Sequence, residues 1–334
     1  MRLSICIPTY NRGPFIGTLF DSIIAQDNHG CEIEVVVSDN ASTDETAAVV
    51  DAYRDRLPNL VYHRAARNMG ADRNFLKVVE LATGDFCWLM GSDDILEPGG
   101  VAAIEQVLDE QPDTAGILVR NNSYDIDMQH RISIEGSSNA FDRTTVLEGA
   151  ETVFAAIGAH FGYISANIVN REVWQQAVAT SPVADYFNAW VHVYVIGRML
   201  TIRPKWVYLA KACVGWRCGN DSFLSEGMFK RLQIDLVGYD EIVTALYGAN
   251  SAIRRDTLRR ILPHARHRVL HSKVHGISAD FFRKTFMLLL RYYGTSPRFW
   301  ITCAPVFLLP APAARVASRV RRSGKRLLGA SSAA

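Results

Sequence analysis

The sequence predicts an α/β protein: a mostly parallel central sheet with helices on both faces, followed by a helical, basic C-terminal extension. Three observations carry that expectation. Short apolar runs alternate with helix-spaced segments over the first 120 residues, which requires crossover connections and parallel strands. Clusters of Asp, Asn and Ser close those runs, at the strand ends where open α/β sheets hold ligands. Acids then almost vanish: residues 254–334 carry 17 Lys/Arg against Asp256 and Asp280, a balance of +15, so the preceding 253 residues carry −13 within a net charge of +2.

The elements follow in order. Residues 3–7 form a first strand, stopped by Pro8, and Phe15, Ile16, Leu19, Phe20, Ile23 and Ile24 then recur at helical spacing. Residues 33–37 are a β-branched second strand ending in Ser38-Asp39-Asn40. Ser42, with Glu45 three residues on, reads as a capping box opening a second helix that Pro58 ends. Residues 60–63 are a third strand, 71–82 a helix closed by Gly84, and 86–90 a fourth strand. A helix at 99–110 and a strand at 115–120 complete this half. Residues 121–147 look like an irregular or antiparallel insert. Helices at 148–157 and 171–180 flank a strand-like run at 163–169; a final strand pair occupies 204–217, and 218–227 has a loop composition. From residue 230 the pattern is helical.

Composition narrows the class. A chain of 334 residues with 49% hydrophobic content is long enough for a substantial core and is not disordered. Its six cysteines are scattered without a Cys-x-x-Cys pair, which points to buried thiols in a reducing compartment rather than disulfides or zinc. The first apolar run is too short for a signal peptide, so a cytoplasmic location is expected. There is no internal repeat, Gly-x-Gly-x-x-Gly motif or Walker-type loop.

Gly91-Ser92-Asp93-Asp94 is the most informative segment. Two adjacent acids after the apolar run 86–90 have no packing use, and charge there must be solvated, paired or bound to a cation. Carboxylate oxygens suit Mg²⁺ or Mn²⁺, ions that neutralise phosphate. A solvated turn before the next helix is the alternative.

Together with residues 7–12 (Ile-Pro-Thr-Tyr-Asn-Arg), residues 37–44 (Val-Ser-Asp-Asn-Ala-Ser-Thr-Asp), Asn68-Met69-Gly70 and Arg73-Asn74, this acid motif makes residues 2–120 resemble the family 2 glycosyltransferases of the GT-A fold. Weaker similarity at residues 163–171, His192 and 217–224 resembles the abequosyltransferase-type subgroup and ends near residue 245. The resemblance implies a hexosyltransferase that uses a nucleotide-sugar donor, a divalent ion and a lipid-linked glycan acceptor carried on a polyprenyl diphosphate. It places Pro8, Thr9, Tyr10 and Asp39 around the nucleoside, with Asp93 on the ribose or shared with the metal, and Asp94 as direct metal ligand. Asp39 could equally serve an Asx turn, but Ser42, as the better cap, would leave it free. Arg12, Arg67 and Arg73 are candidates for phosphate or base contacts, Arg73 foremost, against an ordinary solvated role.

An inverting enzyme needs a carboxylate base. Asp185 is the only acid between Glu172 and Asp221; the family's Glu-Asp pair is absent because Ala184 precedes it, and His192 stands in reserve. Asp185 could otherwise cap the following helix. Tyr186, Phe187 and Trp190 could stack on sugars, though such spacing is more usual in a core. Arg217, Asn220 and Asp221 are assigned to a glycine-containing lid over the donor, with a plain surface loop as the alternative.

The tail is read alone. From residue 281 onward there are ten Lys/Arg and no acid, and residues 299–314 are uncharged with three prolines, too short and broken to span a bilayer of ~20 apolar residues. Arg315, Arg319, Arg321, Arg322, Lys325 and Arg326 follow. This pattern favours an anionic membrane surface over nucleic acid, and hence a peripheral location on the inner face of the cell membrane. His264, His267, His271 and His275 read as a solvated stripe rather than a metal site. The expected division is a transferase domain at 1–228, with a nucleotide-sugar half at 1–120 and an acceptor half at 121–228, and a helical membrane-associating extension at 229–334. A nucleotidyltransferase of similar fold and a non-catalytic sugar-binding module are the rival readings.

Overall fold

The computed structural model describes residues 1–27, 30–132, 140–310 and 312–316. These fall into two compact units: Met1–Asp221 with Glu241–Ala249, and Ser222–Asp240 with the chain from Asn250 onward.

The first unit opens as four βα repeats. Strands β1 (Arg2–Thr9), β2 (Glu32–Asp39), β3 (Leu60–Arg64) and β4 (Phe86–Leu89) run parallel, joined through helices α1 (Gly13–Ile24), α2 (Thr46–Ala52) and α3 (Ala71–Leu81). After β5 (Ile95–Leu96), α4 (Gly100–Glu110) and β6 (Gly116–Tyr124) the chain adds β7 (Arg131–Ile132), β8 (Thr145–Glu148), α5 (Ala150–Ile157), β9 (Asn167–Asn170), α6 (Arg171–Ala179), α7 (Val191–Ile202) and β10 (Lys205–Arg217). The sheet order is β3-β2-β1-β4-β9-β6-β10-β5, with β7 on β6 and β8 on β10. Strand β9 is antiparallel to both β4 and β6, and β10 is parallel to β6. Consequently β1, β2, β4, β6 and β10 all end at one edge. The apolar faces meet in a core that includes Phe20, Trp88, Trp174 and Trp206, all fully buried or nearly so.

Four local expectations are corrected. Pro8 does not stop β1, because the β1–β4 ladder ends at Cys6↔Leu89. Cys6 O accepts from Met90 N, so Pro8, of the same parity, turns its donorless nitrogen to the side where pairing has finished. Ser42 does not cap α2, which starts at Thr46; its Oγ accepts from Asn11 N at 2.9 Å, and Asp44 Oδ1 takes the Thr46 N–H at 3.1 Å instead. The run at 163–169 splits into a 3-10 turn, Ile164–Ala166, and β9. The strand pair expected at 204–217 is one strand, β10, bent by register shifts between Leu209 and Val214. The insert at 121–147 does contain antiparallel pairs, β7 with β6 and β8 with β10, while its residues 133–139 lie outside the described set.

The second unit is helical. It holds α8 (Met228–Gln233), a π turn at Ile234–Gly238 and the start of α9 (Tyr239–Tyr247). It continues with α10 (Ala252–Val274), α11 (Ala279–Tyr293), α12 (Pro297–Thr302) and α13 (Ala304–Leu308). Leu232, Leu236, Leu258, Leu262, Leu289, Tyr293 and Phe299 form its core, and Tyr293 OH donates to Leu258 O at 2.8 Å. Among the described residues no helix is long and apolar enough to cross a membrane. His264, His267, His271 and His275 are all exposed along α10 and the residue that closes it.

Candidate active site

The loops at the carboxyl edge are tied before any ligand is considered. Thr9 pairs with Asp39 at the ends of β1 and β2. Buried Asn74, in the first turn of α3, binds across both: its Nδ2 donates to Ser38 O at 2.9 Å and Thr9 O at 3.3 Å, and its Oδ1 accepts from Ser38 Oγ at 2.7 Å. Asn40 fixes the 68–70 turn through Asn68 Oδ1, Gly70 O and Met69 N. Asn11 and Ala41, both at positive φ (52° and 63°), close the loops against one another. Non-glycine residues in that region cost free energy that the surrounding bonds must offset.

Asp39 is not free. It is fully buried; Oδ1 accepts from Ser42 N at 2.8 Å and Oδ2 from Tyr62 OH at 2.7 Å, with Arg64 Nε at 3.8 Å. The expectation of an unengaged carboxylate failed because the Ser42 backbone N–H and the Tyr62 hydroxyl each donate to one of its oxygens. Around it, Pro8 and Thr9 are buried, Tyr10 is exposed, and Arg12 lies 5.9 Å from the Phe15 ring. Arg67 and Arg73 are exposed, with Arg73 5.1 Å above Phe187.

The acid pair follows β4. Asp94 is 3% exposed and both its oxygens are occupied: Oδ1 accepts from Arg217 N at 3.0 Å, and Oδ2 from Tyr163 OH at 2.8 Å and Ser165 Oγ at 2.5 Å. Burial, then the charge of Asp93, push its carboxyl up to about 7, although the bonds from Ser165, Arg217 and Tyr163 favour the ionised form. Asp93 is half-buried. Its Oδ2 accepts from Asn220 Nδ2 at 2.6 Å and its backbone O from Arg217 Nε at 2.7 Å. Arg217, expected in the following loop, is the buried last residue of β10, its guanidinium over Phe15 at 5.0 Å. Asp221 comes directly after Asn220 and is partly exposed. Arg217, Asn220, Asp93 and Asp94 are therefore brought together.

Two neighbouring carboxylates, one desolvated, fit a hard divalent ion that brings most of its own oxygen shell. Among the described residues no cluster of three or more His, Cys, Asp or Glu side chains offers a closed cage. Asp93, more exposed and with Oδ1 outside the hydrogen bonds just given, would hold such an ion, with Asp94 behind it.

The 185–192 segment reaches α3 by another route. Buried Asp72 accepts from Ala189 N at 2.9 Å and Val191 N at 3.1 Å, opening α7. Asp185 is exposed on the 3-10 turn Val183–Tyr186 and does not cap α7. Tyr186 stacks on Tyr194 with centroids 4.0 Å apart. Buried Trp190 packs at 5.9 Å from His192, which is 1% exposed and meets Phe75 edge-on at 5.4 Å. Neither ring nitrogen of His192 reaches hydrogen-bond geometry. Burial pulls it down to about 4, against a weaker opposing pull from the backbone of Gly162 and Phe161.

Sequence reasoning missed Tyr163, Ser165 and Asp72. The first two lay in a quoted segment but carry no charge, and Asp72 reads as an ordinary acid in a first helical turn.

A mostly parallel sheet with an acid pair at its carboxyl edge and an antiparallel β9 is the GT-A arrangement, and the comparisons supply the class of enzyme. Residues 4–170 match the model for glycosyl transferase family 2. The abequosyltransferase RfbV of Salmonella typhimurium is 33% identical over 267 residues, covering 76% of this chain and 78% of that one. The solved TarS 1–349 of Staphylococcus aureus superposes with a TM-score of 0.60 at 18% identity, over 85% of this chain and 81% of that one. The mannosyltransferase PcManGT of Pyrobaculum calidifontis, solved with GDP-Man and Mn²⁺, gives 0.50 at 15% identity, over 94% and 86%. This chain belongs to the family 2 glycosyltransferases and is an enzyme of that class.

Proposed function

We propose that the enzyme transfers a deoxyhexose from a nucleotide-diphosphate donor to a polyprenyl-diphosphate-linked oligosaccharide during O-antigen or related cell-surface polysaccharide assembly. It does so with a divalent ion and with inversion. The observation that carries the reading is Asp93, a half-buried carboxylate at the sheet edge, braced by Asn220, Arg217 and a buried Asp94. Similarity to an abequosyltransferase over most of the chain supports the sugar class and the lipid-linked acceptor.

In this reading Mg²⁺ or Mn²⁺ at Asp93 and Asp94 offsets charge on the departing nucleoside diphosphate. Exposed Tyr10 and the Arg12 and Arg73 side chains receive base and phosphate from the loops that Asn74 and Asp39 hold in place. Asp39 acts by shaping the nucleoside loop, since its own oxygens are engaged. Asp185 takes the acceptor proton; His192, neutral and enclosed, packs α7 instead. Arg217 positions the acid pair, while Asn220 and Asp221 close over the donor and exclude water. In the same reading residues 1–228 form the transferase part and residues 229–334 a basic, membrane-associating extension.

The test is donor binding across UDP-, GDP-, dTDP- and CDP-sugars with and without Mn²⁺, followed by transfer to a lipid-linked acceptor. Ion-dependent binding of one donor and an inverted product are expected. Undiminished transfer in chelator would remove the ion from the scheme, and a retained anomeric configuration would remove Asp185 as base.

A further inference from the structure

The most exposed large apolar side chains among the described residues all lie between residues 287 and 316. They are Leu308 (86%), Ile301 (74%), Val316 (60%), Met287 (58%) and Trp300 (48%). Large apolar side chains exposed in one stretch mark an interaction surface. Around them the second unit is firmly built. Phe299 and Cys303 are buried in its core with Phe307 packed against it, and Lys273 Nζ donates to Phe307 O at 2.7 Å and Leu309 O at 2.9 Å. Trp300 Nε1 donates to Gly294 O at 2.7 Å, so the indole is held at the surface rather than swinging free. Ile301 on α12 and Pro305 and Leu308 on α13 are all exposed. Interleaved with them along the chain are the exposed cations Arg291, Arg298 and Arg315, while Arg283 and Lys284 both pair with Asp280 at 2.9 and 2.6 Å, and no acid occurs from residue 281 onward.

We infer that Trp300, Ile301 and Leu308 form an apolar wedge that inserts into the interfacial layer of an anionic lipid bilayer, with the flanking Lys/Arg on its headgroups. The occupant follows from the charge: apolar side chains exposed in a segment of strongly positive net charge suit a surface that offers both hydrocarbon and anions. A fixed tryptophan among basic side chains belongs at such a boundary. Two short helices broken at Cys303 cannot span the bilayer, so they lie in its plane. The inference rests on the membrane reading proposed above and sharpens it, because it adds apolar insertion to electrostatic attraction.

Flotation of the full chain with vesicles of phosphatidylcholine and phosphatidylglycerol tests it, with I301S/L308S and a charge variant, R319E/R321E/R322E, run alongside. Wild type is expected to bind, I301S/L308S to lose affinity about tenfold or more, and doxyl-labelled lipid to quench a fluorescence component that W300F lacks. Wild-type affinity of I301S/L308S, with loss confined to the charge variant, overturns the wedge and leaves a purely electrostatic tail. No binding of wild type overturns wedge and membrane reading together. Equal binding to pure phosphatidylcholine removes the anionic partner. Self-association in vesicle-free buffer that I301S/L308S abolishes would assign the surface to a second copy of the chain instead. Both substituted positions are exposed, and matching thermal melts exclude misfolding.

Discussion

Asp93 and Asp94 are adjacent in sequence and opposite in circumstance. Asp94 is enclosed by two hydroxyls and a backbone N–H, whereas Asp93 is half-buried and bonded by Asn220. Asp93→Asn is expected to lower transfer about a hundredfold or more, within the range for loss of one electrostatic contact, while leaving the melting temperature unchanged. Asp94→Ala should lower both, because Tyr163 and Ser165 lose their acceptor at about 1–3 kcal/mol for each unsatisfied group. Activity assays with thermal melts separate the two. Asp185→Asn should reduce kcat far more than donor affinity, and equal losses would argue against a proton acceptor. The acid pair was legible because adjacent charges directly after an apolar run must find solvent, partners or an ion, and Asp94 has found partners. Tyr163 and Ser165 were not, since neutral hydroxyls two residues apart say nothing until β9 turns antiparallel and carries them to the edge. Asp39 was misjudged as free, because its partner Tyr62 lies 23 residues away in the chain.

Among elements, α7 makes a test of burial. Its His192 titrates near 4 in the fold against 6.5 for the unburied side chain. Between those values the unfolded chain binds the proton and the native state does not, so stability rises with pH across that window and is lost as pH falls through it. His192→Phe should flatten the slope between about pH 4 and 6.5, read as urea midpoints at pH 5 and 7.5; an unchanged slope would mean that the ring is hydrated. The βα repeats were readable because apolar periodicity reports burial directly, and α1, α3 and α4 were placed within two residues; α2 instead ends at Ala52, where a turn at 53–56 and not Pro58 closes it. Strand β10 was not, because bulges break its alternation and make one strand look like two. Neither was β9, whose four residues are too few for periodicity to separate from the turn before them.

At the scale of the molecule, charge is divided sharply along the chain. The −13 of the first 253 residues disfavours an anionic membrane surface, while the +15 of the remainder favours one. Raising salt from about 50 to 500 mM should therefore weaken vesicle binding severalfold without abolishing it, because screening reaches the cations and not the apolar wedge. Complete release by salt would argue for charge alone. This asymmetry was countable from the sequence. Which apolar side chains stay exposed was not, since residues 299–314 read as uniformly apolar until Phe299 and Cys303 turn inward and Ile301 and Leu308 outward. Residues 319–326, which hold much of the charge, lie outside the described set.

One carboxylate gives the first unit a mechanical linkage. Asp72 sits between Ala71 and Arg73 at the head of α3, yet its oxygens hold the first amides of α7, more than a hundred residues later. With the Phe75–His192 and Arg73–Phe187 contacts, this side chain ties the head of α3 to the segment that carries Asp185 and His192, and a longer acid there would push the two apart.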